Sequence, residues 1–314
     1  MTRPKYDGIL NVDKPYGLTS MDVVRRLKRA SGQKRVGHGG TLDPIATGVI
    51  PICFGQATRM MEDLINGPKR YRAAVELGVV TDTYDALGEI VETRDASAVT
   101  LADIEEAING FIGVIQQVPP MYSALKKNGR RLYQLAREGV EVERDARSVT
   151  VQDIRIVAWD SPAITIEVSC GRGFYMRSLA YDLGNALGCG GHMKSLVRLQ
   201  SGVFSLDAAL SLEHAEQKLQ DGEWQDILHS PDVVLSAMKA IVVGKQTEDL
   251  IRNGCSLPLA LSLPRGKADD RCRAYSVDGR FLAILTFDST SGQWHPDKVF
   301  ALQYAQPEGI PQFS

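Results

Sequence analysis

Apolar residues recur along this chain at helical spacing in some stretches and in alternation in others, which predicts its secondary structure. Helical spacing and capping residues predict helices at 20–31, 56–66, 101–108 and 175–187. Alternating and β-branched runs predict strands at 8–12, 72–78, 88–93, 149–159 and 163–170. Because helices and strands are mixed without regular strand–helix–strand units, we expect an α+β fold rather than a doubly wound sheet.

The chain changes character near residue 236. Beyond that point the sequence predicts short strands at 240–243, 273–276, 281–285 and 298–300, with a hairpin turn at Gly279. A length of 314 residues is enough for two domains. We therefore expect one domain over 1–235 and a second domain, a small β-barrel, over 236–314.

Composition narrows the classes of protein that need to be considered. No apolar run approaches the roughly 20 residues that a membrane-spanning helix needs, so we expect no association with a membrane. The five cysteines are widely spaced and form no C-x-x-C pair. That pattern favours reduced thiols and a cytoplasmic location over a zinc site or a disulfide framework.

Positive charge is concentrated in two parts of a chain whose formal net charge is only −2. Residues 1–75 contain thirteen lysines and arginines but six aspartates and glutamates. A second cluster, formed by Lys126, Lys127, Arg130 and Arg131, lies beside two tyrosines. Interleaved basic and aromatic residues suit phosphates and bases, so we expect this cluster to contact RNA. The alternative is a solvated surface.

A glycine-rich loop at 36–51 presents a single carboxylate, that of Asp43, five residues after His38. Its glycines allow the backbone to approach a ligand closely, and Pro44 stiffens the chain after the carboxylate. A rigidly presented aspartate suits a covalent nucleophile that must reach a bulky substrate. The alternative is that Asp43 caps a helix that begins at Pro44.

This loop resembles the catalytic loop of the TruB-type tRNA pseudouridine synthases, in which similar residues surround the catalytic aspartate. Four further segments resemble motifs of the same family in the same order, at 11–20, 69–71, 119–133 and 170–179. One departure is Gly39, which stands where the family usually has threonine. We expect this glycine to leave the loop more flexible.

The resemblance implies a pseudouridine synthase fold, in which helices flank a mixed, mainly antiparallel sheet. It also implies an RNA-binding insertion at about 119–147 and a PUA-like identity for the C-terminal barrel. Carried over residue by residue, it implies Asp43 as the catalytic residue and His38, Tyr71, Tyr175, Arg177, Leu196 and Lys14 as substrate-binding residues.

The implied activity is isomerisation of uridine 55 to pseudouridine in the T-arm loop of tRNA. The target base must leave its stack before the aspartate can reach it. The reaction is redox-neutral and needs no activated donor, so we expect neither a cofactor nor a metal. We also expect a monomer without an obligate protein partner. Whether Asp43 attacks C1′ of the ribose or C6 of the base stays open.

Each of these residues also has a structural interpretation. Arg177 is expected to keep Asp43 ionised, yet it could be a surface arginine on a helix. Tyr71 could stack on the target base or pack in the core. We expect Asp82 and Asp85 to shape a turn rather than contact RNA.

Two other functions fit parts of the sequence. A non-catalytic tRNA-binding or tRNA-folding module would use the same basic and aromatic residues. A glycosidase-like hydrolase of free nucleosides would use the aspartate but would leave the basic cluster without a purpose.

Overall fold

A computed structural model of the chain describes residues 6–123, 125–127, 129–140, 142–257 and 266–302. The helices in these residues are Ser20–Ser31 (α1), Met61–Asn66 (α2), Leu101–Asn109 (α3), Leu132–Arg137 (α4), Met176–Ala186 (α5), Leu212–Asp221 (α6) and Lys245–Arg252 (α7). None of these helices is long and apolar enough to cross a membrane.

Eighteen strands are described in the same residues. They are Gly8–Lys14 (β1), Val36–His38 (β2), Ala46–Phe54 (β3), Lys69–Leu77 (β4), Val79–Thr81 (β5), Ile90–Thr93 (β6), Gly113–Gln117 (β7), Lys126–Lys127 (β8), Arg130–Arg131 (β9), Arg147–Asp160 (β10), Ala163–Cys170 (β11), Gly191–Ser201 (β12), Phe204–Ser205 (β13), Leu210–Ser211 (β14), Ala240–Val243 (β15), Arg271–Ser276 (β16), Phe281–Asp288 (β17) and Gln293–Val299 (β18).

The main sheet has ten strands and follows the order β14-β1-β3-β12-β4-β11-β10-β7, with β2 paired to β3 and β13 paired to β12. Most of its pairs are antiparallel, whereas β1 with β14 and β3 with β12 are parallel. Apolar side chains of the sheet pack with those of helices α1, α3, α5 and α6 in one large core. The predicted α+β fold and its mixed, mainly antiparallel sheet are therefore confirmed.

Local capping explains why the predicted helices begin and end where they do. Thr19 and Asp22 form a capping box at the start of α1, and Gly32 ends that helix in the left-handed conformation with φ 66°. Thr100 caps α3 in the same way. The helix predicted at 56–66 is only half α-helical, because its first turn is a 3₁₀ segment, Gly55–Met60, without a side-chain cap.

The C-terminal strands form a four-stranded sheet in the order β15-β16-β17-β18, with the predicted turn at Gly279 in the left-handed conformation. This sheet shares a buried apolar cluster with the main sheet, in which Ile9 and Val49 are grouped with Tyr275, Phe281 and Phe300. The predicted closed barrel and the domain boundary at 235 stay predictions. Residues 258–265 and 303–314, which belong to that prediction, lie outside the described residues.

Candidate active site

The loop that carries Asp43 joins β2 to β3 and is fixed on several sides. Gly39 N–H donates to the Pro51 carbonyl over 2.8 Å, and the Gly17 N–H donates to the Pro44 carbonyl over 2.8 Å. After Pro44 the chain enters β3, so no helix begins there. The interpretation of Asp43 as a helix cap is therefore wrong, and its carboxylate is available for another purpose.

Gly39, which stands where the family usually has threonine, has a steric role that the sequence did not predict. A Cβ atom at this position would lie 2.6 Å from Cδ1 and 2.7 Å from Cβ of Leu64, which is itself buried. Real Cβ atoms do not approach so closely, so a side chain at 39 would require Leu64 or the loop to move. Close packing of the loop against α2 therefore accounts for the glycine.

Arg177 approaches the Asp43 carboxylate with two nitrogens. Its Nε lies 3.0 Å from Oδ2 of Asp43, and its Nη2 donates to Oδ1 over 3.3 Å. The Arg177 side chain is 5% exposed, whereas that of Asp43 is 35% exposed. The alternative of a surface arginine is therefore wrong. In this ion pair the carboxylate of Asp43 is accessible to solvent, while the guanidinium that contacts it is buried.

Three further groups hold the same guanidinium. Nη2 donates to the Tyr122 carbonyl over 2.8 Å, Nη1 donates to the Thr83 carbonyl over 3.2 Å, and Oδ2 of Asp85 lies 3.6 Å from Nε. Asp85 also accepts the Leu87 N–H, as expected of a turn residue. Sequence reasoning predicted that turn but missed the second carboxylate beside Arg177.

Arg198 is the main site residue that the sequence analysis missed. It is 1% exposed on β12, where its Nε donates to the Val49 carbonyl over 2.5 Å. Its terminal nitrogens donate to the carbonyls of Thr41 and Gly40, each over 3.3 Å. A buried arginine thus ties the loop that carries Asp43 to the sheet. The sequence held one signal for this burial. Arg198 follows Leu196 by two residues, and residues two apart in a strand face the same side of the sheet.

Lys14 lies at the end of β1 with no exposed surface. Its Nζ donates to the Leu18 carbonyl over 2.6 Å and to the Pro15 carbonyl over 2.9 Å. Burial lowers the pKa of Lys14 to about 8, although the charge of Asp43 opposes this change. Such a position does not suit contact with a phosphate. It suits a support of residues 15–18, among which the Gly17 N–H donates to Pro44 in the Asp43 loop.

Tyr71 and Leu196 lie on neighbouring strands of the main sheet, β4 and β12. Tyr71 is buried on β4 and is the cross-strand partner of Arg198, while Leu196 pairs with Ala73 on β4 and with Ala46 on β3. Burial raises the pKa of Tyr71, and the Arg198 guanidinium opposes that rise. The phenol is therefore protonated at neutral pH.

His38 and Tyr175 complete the predicted set. Burial, reinforced by the charge of Arg198, lowers the pKa of His38, so its imidazole is neutral at neutral pH. Tyr175 precedes α5, and Gln117 forms hydrogen bonds of 2.8 and 3.1 Å with its backbone N–H and carbonyl. Burial raises the pKa of Tyr175, and the negative charge of Asp43 raises it further.

The backbone of the basic cluster lies in β8 and β9. β8 and β9 form an antiparallel hairpin in which Lys126 pairs with Arg131 and Lys127 pairs with Arg130. The side chains of Lys126, Lys127 and Arg131 lie outside the described residues. Arg130 is exposed and forms an ion pair with Glu138.

The chemical groups on the site wall are few. The accessible carboxylate of Asp43 lies beside the buried guanidinium of Arg177, and its charge acts on the buried phenol of Tyr71. Within the described ranges, no group of three His, Cys, Asp or Glu side chains could hold a metal ion. This arrangement suits nucleophilic or electrostatic action on a sugar or a base.

Solved structures identify the class of fold. The chain matches the structure titled "Crystal Structure of a Cbf5-Nop10-Gar1 Complex" with a TM-score of 0.71 and 24% identity, over 95% of this chain and 85% of that chain. A structure of an H/ACA RNP bound to a substrate RNA containing 2′-deoxyuridine matches with a TM-score of 0.70 and 21% identity, over 96% and 92% of the two chains. The fold is that of the pseudouridine synthases.

Sequence comparison then identifies the family. Residues 28–176 match the model of the TruB family pseudouridylate synthase N-terminal domain, and residues 177–240 match the tRNA pseudouridylate synthase B C-terminal domain. The tRNA pseudouridine synthase B of Dehalococcoides mccartyi is 43% identical over 96% of this chain and 99% of that protein. The namesake of Clostridium novyi is 43% identical over 88% of this chain and 94% of that protein.

The chain therefore belongs to the TruB family of pseudouridylate synthases, as its motifs predict. The prediction of an isomerase is confirmed with it. The two alternatives, a non-catalytic RNA-binding module and a hydrolase of free nucleosides, are wrong.

Proposed function

We propose that this chain isomerises uridine 55 in the T-arm loop of tRNA to pseudouridine, with Asp43 as the nucleophile. Curated relatives that are 43% identical over most of the chain carry the name tRNA pseudouridine synthase B, which supports tRNA as the substrate. The observation that carries the role of Asp43 is its accessible carboxylate, which a buried Arg177 holds with two nitrogens in a braced loop.

In the proposed reaction the N1–C1′ bond of the uridine breaks and a C5–C1′ bond forms. The proton on C5 leaves, and N1 of the product gains a proton, so that atoms and charge balance. Asp43 forms a bond to C1′ of the ribose or to C6 of the base and is later released unchanged. Arg177 holds the Asp43 carboxylate in one orientation throughout.

The remaining predicted residues receive the flipped nucleotide. Tyr71 stacks on the base or exchanges the C5 proton through its hydroxyl. Leu196 and Tyr175 supply apolar and aromatic surface that compensates for the loss of base stacking in the RNA. His38, neutral and next to the loop glycines, forms a hydrogen bond or a stacking contact with RNA. Lys14 supports the neighbouring residues 15–18 through its hydrogen bonds to their carbonyls.

Binding of the rest of the tRNA is assigned to surfaces outside the site. We assign phosphate contact to the hairpin with Lys126, Lys127, Arg130 and Arg131, and further RNA contact to a PUA-like domain over 236–314. The four-stranded C-terminal sheet supports that assignment. The proposed enzyme is a cytoplasmic monomer that needs no cofactor.

One assay tests the activity, the position and the nucleophile together. Unmodified tRNA transcripts labelled with tritium at C5 of uridine should release about one tritium per molecule, and a transcript with cytidine at position 55 should release none. Asp43→Asn should abolish release while leaving tRNA affinity within about tenfold, which corresponds to ~1.4 kcal/mol. Normal release by Asp43→Asn would remove Asp43 from the mechanism, and release from the cytidine transcript would move the target elsewhere.

A further inference from the structure

Tyr84 has an unusual backbone conformation close to the site. Its φ is 62°, and in the described part of the chain the only other non-glycine residue with positive φ is Asp269. The left-handed region is unfavourable for a residue with a large side chain. Such a conformation persists only where surrounding contacts hold it, and residues of this kind cluster at functional sites.

The ring of Tyr84 is stacked on the ring of Tyr181. The two ring centroids are 4.0 Å apart and the planes differ by 15°. Tyr181 lies on α5, four residues after Arg177 and therefore on the same side of that helix. The stack thus joins the turn that contains Tyr84 to the helix that carries Arg177.

The neighbours of Tyr84 in the chain both contact the Arg177 guanidinium. The carbonyl of Thr83 accepts from Nη1 over 3.2 Å, and Oδ2 of Asp85 lies 3.6 Å from Nε. The turn is also bonded to β12, because Met193 N–H donates to the Tyr84 carbonyl over 3.0 Å. A change in the position of Tyr84 would therefore move two of the groups that hold Arg177.

We propose that Tyr84 and Tyr181 are positioning residues, whose stack sets the distance between the 81–88 turn and α5 and thereby the orientation of Arg177 toward Asp43. Neither ring needs to touch the substrate for this purpose. The inference rests on the proposed role of Asp43. The Asp43→Asn experiment tests that role separately, so failure of one does not imply failure of the other.

Paired substitutions separate the ring stack from the backbone and from the hydroxyl. Tyr84→Asn removes the ring but keeps a residue that tolerates positive φ, whereas Tyr84→Phe keeps the ring and removes only the hydroxyl. Tyr181→Ala removes the other ring and Tyr181→Phe retains it. All variants are made in the full chain and assayed by single-turnover tritium release from unmodified tRNA transcript.

We expect Tyr84→Asn and Tyr181→Ala each to lower the single-turnover rate about tenfold, with tRNA Kd within about twofold of wild type. Both phenylalanine variants should retain the wild-type rate within about twofold. Because the two residues form one stack, the double variant Tyr84→Asn/Tyr181→Ala should be no slower than the slower single variant.

Several results would overturn the proposal. A wild-type rate in Tyr84→Asn would show that the ring is dispensable, and a slow Tyr84→Phe would assign the effect to the hydroxyl. If the fold-reduction in rate of the double variant equals the product of the two single reductions, the two rings act independently. A loss in Kd without a loss in rate would place the tyrosines in RNA binding. Thermal unfolding of each variant identifies any loss that comes from partial unfolding. If one ring-removing variant is partly unfolded, the rate of the other decides, and a wild-type rate there overturns the proposal.

Discussion

Two regions of this molecule use the same basic residue types in opposite ways. Around the loop that carries Asp43, Arg177, Arg198 and Lys14 are buried, and their nitrogens donate to backbone carbonyls at 2.5 to 3.3 Å. In the hairpin of β8 and β9, Arg130 is exposed and pairs with the side chain of Glu138. The buried cations hold a loop in one geometry, whereas an exposed cation is free to exchange partners.

This difference decides which property each region controls. A buried cation whose nitrogens donate to backbone carbonyls is scarcely screened by salt and costs much to remove, since its partners are left without donors. An exposed cation contributes little to folding but can release counterions when it meets a phosphate. We therefore expect substitutions in the first region to change the rate of reaction and those in the second to change RNA affinity.

The largest effect is expected from Arg177→Met, which keeps much of the side-chain volume and removes the charge beside Asp43. The single-turnover rate should fall by about 10²–10³-fold, the usual loss for one preorganised electrostatic partner. The control is Arg172→Met, because Arg172 is exposed on the same segment and bonds Asn66 instead. An Arg177→Met rate within threefold of wild type would contradict the assigned role.

Tyr71→Phe is expected to lower turnover by about 10²-fold, the scale of losing a general acid–base group. Binding of tRNA should be retained, because the ring remains in place on β4. The measurement is kcat beside Kd for Tyr71→Phe and Tyr71→Ala. If Tyr71→Phe is fully active and only Tyr71→Ala is impaired, the ring is a stacking surface and another group takes the C5 proton.

Charge reversal in the hairpin should change affinity rather than rate. Replacing Lys126, Lys127, Arg130 and Arg131 with Glu should weaken tRNA binding and flatten its dependence on salt. Each lost phosphate contact should lower the slope of log K against log salt by roughly 0.7–0.9. Arg94→Glu is the control, since Arg94 is a partly exposed arginine with an ion-pair partner outside the hairpin. Unchanged affinity and slope would leave the hairpin as a solvated surface.

The smallest effect concerns the pH dependence of stability. Burial lowers the pKa of Lys14 from 10.5 to about 8, so the folded state binds this proton less tightly than the unfolded state. Unfolding between pH 8 and 10.5 therefore takes up a proton, and the contribution of Lys14 to the free energy of unfolding rises with pH over that range.

Urea unfolding of Lys14→Met should accordingly show a smaller rise over pH 8 to 10.5 than wild type. Lys69, whose pKa burial also lowers to about 8, is present in both proteins, so the difference between them isolates Lys14. Lys28→Met, at an exposed position on α1, should reproduce the wild-type curve. Parallel curves for wild type and Lys14→Met would contradict the assigned pKa.

The sequence predicted those features that depend on neighbouring residues along the chain. The bounds of the helix predicted at 20–31 and the turn at Gly279 are local, and the structure shows both, with a capping box at Thr19 and a left-handed Gly32 at the two ends of the helix. The prediction that Arg177 lies close to Asp43 was based on family motifs and not on a local sequence pattern. It could not follow from spacing alone, because 134 residues separate the two.

Features that depend on packing were missed. Arg198 is buried only because β12 lies between β3 and β4, which brings the carbonyls of the loop to its guanidinium. Asp85 meets Arg177 only because its turn is bonded to β12 through Met193. The tight fit of Gly39 on Leu64 likewise depends on where α2 lies relative to the loop.

The buried cluster shared by the two sheets has a consequence for anyone who shortens this chain. Ile9, Val49 and Met60 are fully buried, and the cluster they belong to is completed by side chains of β16, β17 and Phe300. A truncation after residue 235 would expose this apolar surface to solvent on β1 and β3, the strands next to the loop that carries Asp43. We expect the truncated protein to aggregate and to express poorly, rather than to behave as a minimal enzyme.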